Sequence, residues 1–163
     1  MENRKNILVV AIGNLLFKDE GIGAHVIKKM KTMSLPDNVE VIDGGEGTVF
    51  PVLAYVIENR DKVVVIMAMQ AGGSPGTIYR LSEKEFLETR KGLRMTQESE
   101  FEDTYRTTIL MKTKPRELVV IGVEPEDMGE NDLKLRIELT PTLEKKIPEI
   151  IGMVMNEIRT EEA

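Results

Sequence analysis

The sequence predicts an α/β fold, a three-layer sandwich in which a mostly parallel twisted sheet of about five strands is flanked by helices. Three observations carry that reading. Short apolar runs rich in Val and Ile recur along the chain, the pattern of strands buried on both faces. Most of them lead through a Gly-rich or acidic loop into apolar residues at helical spacing. The length, 163 residues, suits one domain with a sizeable core and is too short for two.

Ile7 to Ile12 is continuous, mostly β-branched and ends at Gly13-Asn14, which makes it the first parallel strand. Beyond Lys18-Asp19-Glu20, the residues Ile22, Val26, Ile27 and Met30 fall on one face of a helix. Val39 to Ile42 is a second short strand running into Asp43-Gly44-Gly45-Glu46-Gly47, and Val49 to Ile57 returns to a helical pattern. Asp61 to Met69 holds the third strand, followed by the turn-rich stretch Gln70 to Gly76. Thr77 to Leu81 is a strand with no crossover helix before it, so it is expected to hairpin back antiparallel at the sheet edge. Ser82, three residues before Glu85, is a capping-box signature for a short helix over Ser82 to Arg90. A helix is expected over Glu102 to Met111 and a fifth strand over Leu118 to Val123. One helix, from about Pro141 to Ile158, closes the chain, with Thr140 as N-cap and Pro141 at the first helical position.

Composition narrows the function. Lys plus Arg number 22 against 28 Asp plus Glu, a formal charge of -6, and no basic cluster suited to a phosphate backbone appears. Nucleic acid is therefore not an expected partner. With no Cys, a thiolate nucleophile, a Cys-ligated metal and a disulfide are all excluded. The longest apolar runs are far below the roughly 18 residues of a membrane span, and no secretory signal follows the charged N-terminus, so the expectation is a cytoplasmic protein without membrane contact.

Three loops at apparent strand ends, over 13–23, 43–47 and 67–76, gather the unusual residues, and in doubly wound sheets such ends converge. The first has neither G-x-G-x-x-G spacing nor the G-K-[ST] of a phosphate loop. Its Asp19 and Glu20 stand where phosphate would sit; they suit a cation, or simply complement the helix dipole. His25, the only histidine, lies five residues after Glu20, about 140° round a helix, and reads as a surface or packing residue. No G-x-S-x-G elbow exists to support a Ser-His-Asp triad.

Five segments, ILVVAIGNLLFKDEGIG (Ile7 to Gly23), VIDGGEGT (Val41 to Thr48), GGSPGTIYRL (Gly72 to Leu81), VVIGVEPEDM (Val119 to Met128) and LTPTLEKKIP (Leu139 to Pro148), together resemble the [NiFe] hydrogenase maturation endopeptidases. The likeness runs over residues 7–155 in the family's order; its more specific parts are the G-N-x-L-x-x-D-E-x-x-G and G-V-x-P-E blocks. It implies a single domain of this type over 1–163. It also implies an endopeptidase that inspects a nickel-loaded hydrogenase large-subunit precursor and removes a short C-terminal extension. The nickel is expected to come with the substrate, and no tightly bound cofactor is expected.

The family's metal-accessible set is a Glu, an Asp and a His. Glu20 matches the Glu and is the candidate catalytic residue, with Asp19, Asp43, Gly44 and Gly45 as candidate substrate contacts. The Asp position, in a D-A-x-x-x-G-x-x-P-G context, carries Met67, and the His position aligns best with Gln97, where a one-residue slip would place Thr96 or Glu98 instead. A thioether prefers soft Cu(I) and a neutral amide binds divalent metals weakly, so Glu20, Met67 and Gln97 make a poor metal site. Asp43, Glu98 or Glu100 are the acids nearest in the pattern to compensate. Two functions stay open on these residues: a peptidase relying on Glu20 and on nickel brought by the substrate, or an inactive family member acting as an assembly chaperone for a hydrogenase-type large subunit.

Overall fold

The computed structural model describes residues 4–45, 50–89, 97–129 and 135–160, of which residues 50, 51, 89, 97–99 and 160 are described by backbone alone. Five strands form one sheet: β1 (Ile7–Ala11), β2 (Val39–Asp43), β3 (Lys62–Ala68), β4 (Ile78–Ser82) and β5 (Glu117–Val123), in the order β2-β1-β3-β5-β4. The first three and β5 are parallel, while β4 runs antiparallel to β5 at one edge. Around them lie α1 (Ile22–Met30), α2 (Phe50–Ile57), α3 (Glu83–Thr89), α4 (Gln97–Leu110), α5 (Pro141–Glu144) and α6 (Ile147–Thr160).

Strand alternation builds the three layers. Ile7, Val9 and Ala11 of β1, with Val64 and Ile66 of β3, point to one face and pack on Val26, Ile27, Ile150 and Val154 of α1 and α6. Leu8, Val10, Val63, Val65 and Met67 point to the other, against Leu53, Ile57, Phe86, Phe101 and Tyr105 of α2, α3 and α4. Because β1, β3 and β5 are covered on both sides, their sequences run apolar instead of alternating, save for Lys62 and Glu117 at the starts of β3 and β5. Each fully buried aliphatic side chain contributes roughly 1.5–3 kcal/mol.

Three expectations are corrected. β4 is an antiparallel edge strand, but its partner is β5, not β3. The connecting loop is drawn across the end of β5 by Gly76 N–H donating to the Glu124 carbonyl at 2.8 Å and Glu124 N–H to the Thr77 carbonyl at 2.8 Å. The closing helix is two helices, α5 and α6, separated at Lys145-Lys146. Pro148 has no N–H, and in a continuous helix its ring would clash with the carbonyl four residues back; as the second residue of a new helix it costs nothing. Thr140 precedes Pro141 in extended conformation but makes no side-chain cap bond, because its hydroxyl is engaged elsewhere. The Ser82–Glu85 capping box is present in both directions, at 3.4 and 3.2 Å.

Candidate functional site

In a parallel sheet of this order the chain leaves β1 toward β2 on one side and β3 on the other, which opens a crevice beyond the carboxyl ends of β1 and β3. The loop after β1 turns sharply at Gly13, whose φ of 136° is open to glycine alone; a Cβ there would sit 2.2 Å from the Glu20 carbonyl oxygen. A Cβ on Gly45 would come within 1.8 Å of the Gly13 carbonyl oxygen. Absent side chains thus let the loops after β1 and β2 and the 3-10 turn Lys18–Gly21 close on one another through their backbones. Glu20, Asp43, Gly44 and Gly45 are brought to this one place. Glu20 is half-buried, and Asp43, also half-buried, accepts the Gly45 N–H at 2.9 Å in a local turn.

Asp19 does not face the crevice. It is 0% exposed, and its carboxylate accepts the N–H groups of Glu126 at 2.9 Å, Asp127 at 3.0 Å and Thr140 at 2.9 Å, together with the Thr140 hydroxyl at 2.8 Å. Expected as a substrate contact, it is instead a knot tying the 3-10 turn to the loops after β5 and before α5. Lys18 reinforces the knot by pairing with Asp127. That Lys18 hydrogen bond, and after it the Gly129 N–H, hold the Asp127 carboxyl below its ordinary range.

Met67 is 0% exposed, with its side chain in the apolar layer of Leu53, Phe86 and Phe101. The position expected to present a metal-binding carboxylate is therefore filled by core packing. Gln97 is the first residue of α4, and its side chain lies outside the described residues, as do Thr96 and Glu98 as side chains. Among the described residues no group of three His, Cys, Asp or Glu side chains is arranged to hold a metal ion. A thioether buried among hydrocarbons does not fit a divalent cation, so the donors at this crevice among the described residues do not make a self-sufficient nickel site.

Glu124, at the end of β5, is buried and was not singled out by its motif. Its carboxylate accepts the Ala71 N–H at 2.8 Å, the Gly72 N–H at 3.1 Å and the Tyr79 hydroxyl at 3.1 Å, fixing the loop after β3 beside the crevice. Burial, with Glu124 adding to it, pushes the Tyr79 hydroxyl above its ordinary value and keeps it a donor. The signal was the run Glu124-Pro125-Glu126-Asp127 itself, which places acids at a strand end without saying which turn inward. His25, on α1, donates through Nε2 to the Ile137 carbonyl at 2.8 Å.

Comparison with known proteins adds a family to this geometry. The model of the hydrogenase maturation proteases matches residues 24–157. A Methanocaldococcus jannaschii protein assigned to the hydrogenase maturation proteases is 33% identical over 158 residues, which cover 93% of this chain and 97% of that one. The coenzyme F420 hydrogenase subunit delta of Methanothermobacter thermautotrophicus is 32% identical over 160 residues, covering 93% and 94%. Among solved structures, the hydrogenase maturating endopeptidase HybD of Escherichia coli superimposes with a TM-score of 0.85 at 29% identity, covering 95% of this chain and 93% of that one.

Proposed function

This chain belongs to the hydrogenase maturation protease family, and from that premise we propose that it engages the C-terminal region of a [NiFe] hydrogenase-type large-subunit precursor at the crevice formed by Glu20, Asp43, Gly44 and Gly45. Within that role the geometry favours recognition over hydrolysis: the chain serves as a maturation factor that holds the precursor. The observation that carries this reading is Met67, sealed in the core where a carboxylate would have to face the crevice. Hydrolysis of an amide needs a polarised carbonyl and a positioned water, and a metal ion supplies both only when enough ligands hold it in place. Glu20 is one such ligand at most, and nickel in this reading remains a property of the precursor.

A second reading, an endopeptidase that removes the C-terminal extension, is supported by Glu20 and by the retained Gly13 and Gly45 contacts that shape its surroundings. The two separate in one experiment: the nickel-loaded precursor is incubated with this protein or with Glu20→Gln, and complex formation and intact mass are both measured. A stable complex with unchanged mass is expected. Loss of a C-terminal peptide that depends on Glu20 establishes the peptidase instead, and absence of both complex and cleavage removes the family role altogether.

A further inference from the structure

Beside the crevice, on the side of α1, a groove of about 230 Å³ is lined by Leu15, Ala24, His25, Lys28, Lys31, Asp43, Ile27 and Ile137. Its walls have a definite chemistry. Ala24, Lys28 and Lys31 are spaced by four and three residues and so share one face of α1 and its end. That face presents a small apolar floor and two exposed ammonium groups. The opposite wall is a short ribbon in which Arg136 N–H donates to the Leu16 carbonyl at 2.8 Å and Lys18 N–H to the Arg136 carbonyl at 2.9 Å. His25 pins the ribbon through the Ile137 carbonyl. It displays Leu16, Leu135 and Ile137, which are 41%, 63% and 54% exposed. An aliphatic rim beside paired lysines, on a chain of net charge -6, selects a ligand that is apolar and carries a carboxylate. Asp43 belongs both to this groove and to the crevice, so a polypeptide lying along one continues into the other.

We propose that the groove receives the end of the precursor's C-terminal extension as an extended peptide, with an aliphatic side chain between Leu15, Ala24 and Ile137 and a carboxylate against Lys28 and Lys31. This rests on the reading that the crevice engages a large-subunit precursor, and it names the part of the precursor that sits beyond the crevice and what recognises it. The peptide leaves the crevice past Asp43 and turns along α1.

The test measures the Kd of the complex with two forms of the large-subunit precursor, full length and truncated after its last metal-binding Cys motif. The proteins compared are the wild type, Lys28→Glu/Lys31→Glu, the neutral pair Lys28→Gln/Lys31→Gln, and Ile137→Asp. All three positions are solvent-facing, and circular dichroism checks that each variant is folded. For the full-length precursor the charge reversal is expected to raise Kd by about tenfold or more at low salt, and Ile137→Asp by a similar factor. The charge effect shrinks toward high salt as the lysines are screened. The neutral pair falls between, and none of the substitutions changes the Kd for the truncated form. Wild-type binding to the full-length precursor that the variants leave unmoved overturns the groove and leaves the precursor reading standing. Equal weakening for the truncated form assigns the groove to the precursor's folded body and also overturns it. A wild type that binds neither form fails the precursor reading itself, and the groove with it.

Discussion

Asp19 and Glu20 are adjacent, both acidic and both in the first turn after β1, yet they have opposite fates. A 3-10 turn sends successive side chains about 120° apart, so one carboxylate goes inward to four donors and the other stays at the crevice. Composition and spacing cannot separate them, because what buries Asp19 is three backbone N–H groups from residues more than a hundred positions away. Removing that acceptor orphans buried donors, and hydrogen bonds to a charged group carry roughly 1.5–3 kcal/mol each. Asp19→Ala is expected to lower unfolding stability by about 3 kcal/mol or more, read as a fall in the urea midpoint, whereas Glu20→Gln shifts it by less than about 1 kcal/mol. Equal losses at the two positions would contradict this division of roles. Met67 was legible in the opposite way: its identity as the residue at an expected Asp position came from the motif, while its burial had to be seen.

At the level of elements, the C-terminal helix is held by a charge cluster at the far end of the sheet from the crevice. Lys62, buried at the start of β3, donates through Nζ to the Glu157 carboxylate at 2.9 Å and to the Glu157 carbonyl at 3.1 Å, and Arg80 of β4 also pairs with Glu157. Burial pushes the Glu157 carboxyl up, but the bonds from Arg80 and Lys62 outweigh it and hold the group below its ordinary value of 4.5. A carboxyl depressed in the folded state contributes stability that is complete above the unfolded value and is lost as pH falls through the folded one. Glu157→Gln leaves Lys62 buried with a weakened partner and is expected to cost about 3 kcal/mol at neutral pH. The gap to wild type should narrow as pH drops below about 4.5, in unfolding curves recorded across that range. A constant gap down to pH 3 would mean that the contribution is packing alone. The elements were legible because their periodicities differ, the strands running apolar and the helices at a period of 3.6. The exchange of partner by β4 is not legible, since it depends on Glu124 drawing the loop over β5, and the break before α6 is marked in the sequence by Pro148 alone, inside an otherwise continuous helical period.

For the molecule as a whole, fold and family agree: a 2-1-3-5-4 sheet places its crevice after β1 and β3, and the two more specific blocks of the family pattern follow β1 and close β5, the strand beside β3. The layer around Met67 is apolar, and Met67→Asp alone is expected to destabilise the protein by about 2–4 kcal/mol through lost packing and a buried carboxylate. In company with Gln97→His and a divalent ion, that carboxylate acquires a partner, and metal should restore part of the lost stability. Isothermal calorimetry with nickel, on the wild type and on the Met67→Asp/Gln97→His variant, therefore tests directly whether this crevice is a family metal site with its ligands exchanged. No resolvable heat of binding from the wild type and clear one-to-one binding by the variant is the expected result. Nickel bound tightly by the wild type, or no gain in the variant, would contradict it.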